Sequence, residues 1–192
     1  MVDKVLLIMD YVNELVTGAA GKFNGYTRFM QEHSTLDRVE TAISRARTQS
    51  IPIVYLRLGF KPDYSDCPEG SPLISGSRKF GILKLGTPSS DFPDRIKPQL
   101  DDTVVPKNRI SPFYGTNLDQ VLRQKGAKTL LLAGVATDLV VKSAAMEGHD
   151  RDYSVVVLSD CCAAGSQGAH DAALASMKQF AKVTTLDDAL PA

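Results

Sequence analysis

Three features of this sequence are suited to acid–base and carbonyl chemistry, and each follows or ends a short apolar run. Asp10 ends the run at residues 4–10, and Lys107 ends the run at residues 102–107. A carboxylate beside an ammonium group stays ionised, and such a pair can move protons. The turn at residues 134–141 leads from a third apolar run into a helical pattern, so its backbone N–H groups are suited to binding an oxyanion. Together these features predict a catalytic site.

Each feature also has a simpler interpretation when it is taken alone. Asp10 is then an ordinary helix or loop cap, and Lys107 is a surface lysine. The turn is then a plain strand-to-helix connection in which Thr137 caps the helix. The functional interpretation therefore requires a fold that brings the three features together.

The chain alternates between apolar runs and helical patterns, which predicts an α/β fold. Apolar runs with few polar positions are typical of strands that are covered on both faces. Alternating strands and helices predict a parallel sheet with helices on both faces, and ligands bind beyond the carboxyl ends of such strands. The predicted strands are residues 4–10, 51–57, 102–107, 129–134, 153–158 and 182–185. The predicted helices begin near Ser34, Thr116 and Thr137, and a fourth covers residues 170–180.

Residues 59–100 differ from the rest of the chain. They are rich in Gly, Pro, Ser and Asp and have only weak periodicity. A long irregular segment inside a compact domain is usually functional or disordered, so we interpret this one as a loop that covers the site. A plain surface excursion is the alternative. Because no linker divides the chain, residues 1–192 are predicted to form a single domain.

Composition limits the classes of partner and the cellular location. Lys and Arg total 22, and Asp and Glu also total 22, so the formal net charge is zero and binding to nucleic acid is not expected. The longest apolar run is too short to span a bilayer, and no secretory signal is visible. The odd set Cys67, Cys161 and Cys162 fits a reducing compartment. We therefore expect a cytoplasmic protein with a small-molecule substrate and no membrane partner.

Motifs spread over nearly the whole chain carry a resemblance to a known family. Residues 6–13 hold the strand-end Asp and a trailing Asn, residues 105–113 fit the pattern K-x-R-x-S-x-F, and residues 131–138 fit G-V-x-T-(N/D). The further matches are Thr116 with Leu118 (T-x-L), residues 86–88 (G-T-P) and Asp160 with Cys161. In this order and spacing the motifs resemble those of the isochorismatase-like hydrolases, or cysteine hydrolases, which include nicotinamidases, carbamoyl-sarcosine amidases and isochorismatases.

The resemblance implies a three-layer fold with a six-stranded parallel sheet, an oligomeric enzyme (dimer or tetramer) and an Asp–Lys–Cys triad. Asp10 corresponds to the family's general acid/base, and Lys107 corresponds to its charged partner. The resemblance also implies a cis peptide in the turn that forms the oxyanion hole, here between Val135 and Ala136. The residues expected to bind the substrate oxygen are Val135, Ala136, Thr137 and Asp138.

The sequence departs from the family at the nucleophile. The family's Cys corresponds to Val140, which has no lone pair to attack a carbonyl. Members resembling isochorismatase protonate a vinyl ether with the Asp and let water add, so they dispense with the thiol. We therefore expect a hydrolase that acts on a small polar molecule through Asp10 and a bound water, with Lys107 holding the carboxylate.

Two alternatives remain open. One is a catalytically silent member that binds a small ligand or serves as an interaction subunit. The other is an amidase with a replacement nucleophile, for which Thr137, Ser143, Cys161 and Cys67 are the candidates.

Arg57, which directly ends the second predicted strand, is a candidate anchor for a substrate carboxylate. Nicotinamidase-like members bind a metal through an Asp and closely spaced His residues, but the equivalent stretch at residues 63–66 has no His. His33, His149 and His170 are far apart in the sequence. We therefore expect neither a metal nor a cofactor.

Overall fold

One six-stranded sheet forms the centre of the protein in the computed structural model, which describes residues 3–18 and 24–192. The strands are β1 (Lys4–Met9), β2 (Ile53–Leu58), β3 (Thr103–Lys107), β4 (Thr129–Val135), β5 (Ser154–Ala163) and β6 (Lys182–Thr184). Every neighbouring pair is parallel, and the order across the sheet is β3-β2-β1-β4-β5-β6. The predicted α/β fold with a six-stranded parallel sheet is confirmed.

Helices cover both faces of this sheet. They are α1 (Asn13–Val16), α2 (Gly25–Glu32), α3 (Thr35–Thr48), α4 (Gly76–Phe80), α5 (Leu118–Gln124), α6 (Lys142–His149), α7 (Gln167–Met177) and α8 (Leu186–Ala189). Apolar residues of α1, α2, α3 and α8 pack on one face, and those of α5, α6 and α7 pack on the other. Within residues 3–18 and 24–192, no helix has the length and apolar character needed to cross a bilayer.

The central strand β1 shows why an uninterrupted apolar run is required here. Side chains alternate between the two faces of a strand. Leu6 and Ile8 therefore enter one core, while Val5, Leu7 and Met9 enter the other, and all five are fully buried. A polar residue at any of these positions would lose its hydration without gaining a partner, so the strand reads as continuously hydrophobic.

The strand register brings the predicted chemical groups to one edge of the sheet. Met9 lies opposite Leu56 of β2 and Gly134 of β4, and Lys107 lies opposite Leu58 of β2. The backbone N–H of Asp10 donates to the carbonyl oxygen of Leu56 at 3.0 Å, which holds the residue after β1 against the sheet. Parallel strands end on the same side, so β1, β3 and β4 all finish at this carboxyl edge.

Gly134 permits a close approach at that edge. A Cβ atom built on this residue would lie 2.9 Å from Cγ2 of Val141 and 3.1 Å from Cβ of Met9. Neither distance leaves room for a side chain, because both neighbours are buried in the core. A glycine is therefore required for β4 to pass between β1 and the turn that follows it.

The helix starts predicted near Ser34 and Thr116 agree with the structure to within two residues. Helix α3 begins at Thr35, directly after Ser34, so the predicted start is confirmed, although Ser34 adopts a left-handed conformation (φ 51°) and its side chain makes no capping bond. Thr116 lies just before α5, and its Oγ1 accepts the N–H of Leu118 at 3.2 Å.

Two later elements differ in extent from the prediction. Strand β5 continues to Ala163, beyond the predicted end at residue 158, and its register against β4 shifts between Leu132 and Gly134. Helix α7 begins at Gln167 rather than at residue 170, because the side chain of Ser166 accepts the N–H of Ala169 and caps the helix.

The irregular segment at residues 59–100 is ordered by its own short elements. Besides α4 it holds two 3₁₀ turns, Pro88–Ser90 and Asp94–Ile96. The N–H of Gly59 donates to the carbonyl oxygen of Lys107 at 3.0 Å, and the N–H of Phe60 donates to that of Leu83 at 2.8 Å. The segment is thus tied to the carboxyl edge of the sheet at its start.

Candidate active site

Asp10 and Lys107 meet at the carboxyl edge of the sheet. The Nζ atom of Lys107 lies 2.7 Å from Oδ2 of Asp10, and the two side chains are 1% and 5% exposed. Asp10 has a left-handed backbone (φ 61°), a conformation that Asp tolerates better than most residues. That turn directly follows β1 and places the carboxylate beside the end of β3.

The ammonium group of Lys107 is fully used by the protein. Besides Asp10, it donates to the carbonyl oxygens of Arg109 at 2.8 Å and of Ile110 at 3.2 Å. An ammonium group has three donors, so none remains for a ligand. The Oδ1 atom of Asp10, in contrast, is buried and has no hydrogen-bond partner among the described residues. The pair therefore offers one unused acceptor next to a fixed positive charge.

Burial of Asp10 sets its proton affinity. Desolvation raises the pKa of this carboxyl from 3.8 to about 6, and the charge and hydrogen bond of Lys107 offset only part of the rise. The carboxyl of Asp10 therefore has a pKa nearer to neutral pH than an ordinary Asp, and its ionisation beside Lys107 stays a prediction. It also holds a proton readily enough to act as a general acid or base.

A cavity of about 290 Å³ opens beside this pair. Its sheet-edge wall consists of Asp10, Lys107, Val135, Ala136 and Val140. Its loop wall comes from the irregular segment and consists of Phe60, Leu73, Ile74, Ser77, Ile82 and Leu83. The remaining lining residues include Glu14, Leu15, Asn24, Tyr26, Arg109 and Leu139. The loop wall is apolar apart from one hydroxyl.

The turn after β4 contributes part of the sheet-edge wall. The Val135–Ala136 peptide is cis, which confirms the expectation drawn from the family resemblance. The turn continues as a single π-helical turn, Thr137–Val141, in which the N–H groups of Leu139 and Val141 both donate to the carbonyl oxygen of Ala136. Val135, Ala136, Leu139 and Val140 reach the cavity.

Thr137 and Asp138 do not line the cavity, so the predicted oxygen-binding turn is only partly in the wall. Thr137 is fully buried, and its hydroxyl pairs with Nδ1 of His170 at 2.9 Å. The predicted helix cap at Thr137 is therefore wrong, because the buried hydroxyl takes its partner from α7 and makes no capping bond. Asp138 is exposed to solvent.

Arg57 lies away from the cavity. Strand β2 continues through Leu58, so Arg57 is inside the strand rather than at its end. Its guanidinium group lies 3.4 Å from Asp91 and stacks over the ring of Phe92, at 5.0 Å from the centroid. The predicted carboxylate anchor is therefore engaged elsewhere.

Five polar residues line the cavity although the sequence analysis did not predict them as site residues. They are Arg109, Glu14, Tyr26, Asn24 and Ser77. Arg109 is part of the K-x-R-x-S-x-F match, which is the signal that would have pointed to it. Its Nη1 atom donates to the carbonyl oxygens of Asp66 at 3.0 Å and Asn108 at 2.8 Å. No motif marked the other four residues.

The proposed replacement nucleophiles are not in the lining. Cys161 and Cys162 are buried within β5, and burial raises the pKa of Cys162 to about 12 and raises that of Cys161 still further above its ordinary value. Cys67 is buried with its Sγ near the carbonyl oxygen of Ile74. The raised pKa values keep the thiols of Cys161 and Cys162 mostly protonated and poorly nucleophilic.

No group of His, Cys, Asp and Glu in the described ranges has the arrangement of a metal site. The absence of a metal or cofactor therefore stays a prediction. The same holds for the oligomeric state.

Comparison with known proteins adds to this geometry. A family model described as the isochorismatase domain matches residues 4–188. The ureidoacrylate amidohydrolase RutB of Methylorubrum extorquens is 32% identical over 158 residues, which cover 76% of this chain and 64% of that protein. The chain therefore spans less than two thirds of the length of this curated relative.

Solved structures agree with the fold. An isochorismatase family protein from Desulfovibrio vulgaris superimposes with a TM-score of 0.86 at 25% identity, over 99% of each chain. The N-carbamoylsarcosine amidase of Thermoplasma acidophilum gives a TM-score of 0.76 at 29% identity, over 96% of this chain and 97% of its own. Since the family model spans almost the whole sequence and the same fold carries the matching motifs, the chain belongs to the isochorismatase family.

Proposed function

We propose that this protein is a hydrolase of small polar molecules in which Asp10 activates a water molecule directly. The observation that carries the proposal is Asp10 in the cavity wall, whose buried Oδ1 atom has no hydrogen-bond partner among the described residues, beside an ammonium group that is already saturated. A buried acceptor without a partner costs free energy, so it is suited to a water or substrate that occupies the cavity. Lys107 holds the carboxylate and stabilises its ionised form.

The reaction that fits is hydrolysis of a carbon–nitrogen bond. Asp10 accepts a proton from water, whose oxygen bonds to the carbonyl carbon, and the electron pair of the carbonyl moves to its oxygen. Collapse of this intermediate breaks the carbon–nitrogen bond, and Asp10 returns the proton to the leaving nitrogen. The names of two relatives, an amidohydrolase and an amidase, support this bond type over a vinyl ether.

The turn after β4 is the proposed site for the developing oxyanion. Ala136 and Val140 lie in the wall on the same side as Asp10, and backbone N–H groups of such a turn stabilise negative charge on oxygen. Arg109 replaces Arg57 as the proposed anchor for a substrate carboxylate. Both hydrogen bonds that Arg109 makes to described residues use Nη1, so Nε and Nη2 remain available there.

Val140 supports the direct attack of water. We infer that it occupies the position of the family's nucleophilic Cys, three residues after Thr137 on the same turn. Its side chain forms part of the cavity wall but has no lone pair, so no acyl-enzyme can form on it. The chemistry then falls to Asp10 and water.

Hydrolysis of a defined panel tests the proposal. Ammonia release from ureidoacrylate, N-carbamoylsarcosine and nicotinamide is measured with the purified protein. We expect turnover of at least one compound, and we expect Asp10→Asn to lower kcat by about 10²- to 10⁴-fold because the proton carrier is lost. The control is Asp101→Asn, which changes an exposed carboxylate outside the cavity. Equal rates for Asp10→Asn and the wild type would sink the proposal.

Thiol chemistry gives a second test. Because the three cysteines are buried away from the cavity, we expect iodoacetamide to leave turnover unchanged. Intact-mass spectrometry during turnover should show no acyl adduct. A stable adduct, or inactivation that follows alkylation of one cysteine, would favour an amidase with a replacement nucleophile.

A ligand-binding protein without turnover is the second candidate, and Val140 is the observation that favours it. It predicts thermal stabilisation by a panel compound with no hydrolysis. It also predicts that Val140→Cys creates amidase activity, because the carboxylate and its lysine are already in position. Turnover by the unmodified protein excludes this candidate.

A further inference from the structure

Glu14 is a second carboxylate in the cavity, on the side formed by α1. It is half-buried and lies next to Leu15, which also lines the cavity. The apolar loop wall contributes other residues to the same cavity, including Ile82 and Leu83. A carboxylate in such surroundings loses part of its hydration.

Glu14 is unusual because it has no partner among the described residues. Every other described carboxylate that is buried or half-buried has at least one hydrogen bond or ion pair. These partnered carboxylates are Asp10 with Lys107, Asp66 with Asn108, Asp102 with Arg47, Asp119 with Arg123, Glu147 with Arg151 and Asp160 with Arg38. The protein thus satisfies its half-buried acids throughout this part of the chain and leaves one open, in the cavity.

The charge of Glu14 acts toward the loop side of the cavity. Burial raises the pKa of Glu14, and its negative charge contributes to the raised pKa of Tyr64, after burial and the nearby Cys67. The hydroxyl of Tyr64 itself donates to the carbonyl oxygen of Ile82 at 2.7 Å. Tyr64 therefore braces the loop wall and does not serve as the partner of Glu14.

We propose that Glu14 is a specificity-determining residue that accepts a hydrogen bond from a nitrogen-bearing group of the ligand, either an amide N–H or an ammonium group. An ionised carboxylate is only an acceptor, so it attracts such donors and repels a ligand carboxylate at the same place. The inference rests on the proposed function to the extent that the ligand occupies this cavity. It is independent of whether the ligand is hydrolysed.

Three matched probes test this role by calorimetric titration at pH 8. They share a ureido group and a three-carbon chain and end in an ammonium, a neutral amide or a carboxylate. The quantity of interest is the ratio of the Kd of the carboxylate probe to that of the ammonium probe. We expect Glu14→Gln to lower this ratio by about tenfold or more, with a smaller change for the amide probe. Glu32→Gln, an exposed carboxylate at the end of α2, is the matched control and should leave the ratio unchanged.

Thermal unfolding of the free protein separates a ligand-binding role from a structural one. A half-buried carboxylate whose partner is a ligand is a burden to the empty protein, so we expect Glu14→Leu to have a Tm equal to or above that of the wild type. A lower Tm for Glu14→Leu, or an unchanged Kd ratio for Glu14→Gln, overturns the inference. If Glu14→Gln lowers the Kd ratio as expected but the protein hydrolyses none of the panel compounds, the proposed reaction is contradicted and the role of Glu14 stands.

Discussion

The two walls of the cavity are built in different ways. The sheet-edge wall contains a buried ion pair whose ammonium group makes three hydrogen bonds, and its residues follow rigid parallel strands. The loop wall comes from a segment with one five-residue helix, and it offers apolar side chains and the hydroxyl of Ser77. We infer from this difference that the residues of the sheet-edge wall take part in the proposed reaction, while those of the loop wall select ligands by shape.

Loss of Lys107 is the most severe way to break the sheet-edge wall. Lys107→Met leaves the buried Asp10 carboxylate without its counter-charge, so we expect the free energy of unfolding to fall by about 3–5 kcal/mol. Urea denaturation measures this change. The control is Lys97→Met, which breaks an exposed ion pair with Asp94 and should cost far less. Equal losses in the two variants would show that the buried pair is not special.

The turn of the sheet-edge wall can be destabilised by removing its hydrogen bond to α7. Thr137→Val keeps the side-chain shape but removes the hydroxyl that pairs with His170, so we expect a loss of about 1–3 kcal/mol in the free energy of unfolding. Thr137→Ser retains the hydroxyl and is the matched control. If both variants have the same urea midpoint, the pairing of Thr137 with His170 contributes nothing to the free energy of unfolding.

The pH dependence of kcat/KM assigns the base to one wall. In the proposed mechanism the ionised form of Asp10 is the active one, so we expect activity to be lost as pH falls through its pKa of about 6. Below that value we expect kcat/KM to fall by about tenfold per pH unit. Glu14→Gln should keep this acidic limb, since Glu14 is assigned to binding. If kcat/KM of Glu14→Gln no longer falls at low pH, Glu14 is the base instead of Asp10.

The smallest expected effect tests the loop wall. Ser77→Ala removes the one hydroxyl of that wall, so we expect KM to rise by about two- to tenfold with kcat little changed. Ser75→Ala changes a neighbouring hydroxyl that does not line the cavity and serves as the control. A fall in kcat with constant KM would place Ser77 in the chemistry and contradict the division between the walls.

The residues of the sheet-edge wall were easier to predict from the sequence than those of the loop wall. Asp10 and Lys107 each end an apolar run, and parallel strands end on one edge, so local pattern and topology were enough to bring them together. Arg57 was misplaced because β2 is one residue longer than its apolar run indicated. A one-residue difference at a strand end decides whether a side chain reaches the cavity or stays beside the sheet.

Other features depend on contacts that no local pattern encodes. Thr137 was interpreted as a cap, but its hydroxyl pairs with His170, a residue of a different helix. The residues of the loop wall come from a segment without periodicity, so the sequence indicated a cover for the site without indicating which side chains face it. Glu14 carries no motif, and its lack of a partner becomes visible only in three dimensions.

The close packing around Gly134 has a consequence for redesign. A library that varies this turn to install a new nucleophile has to keep position 134 fixed, because any larger residue there would collide with Met9 and Val141. Positions 139 and 140 reach the chamber from the same turn without that restriction at their backbone. A new nucleophile can therefore be introduced at positions 139 and 140, while position 134 has to remain glycine.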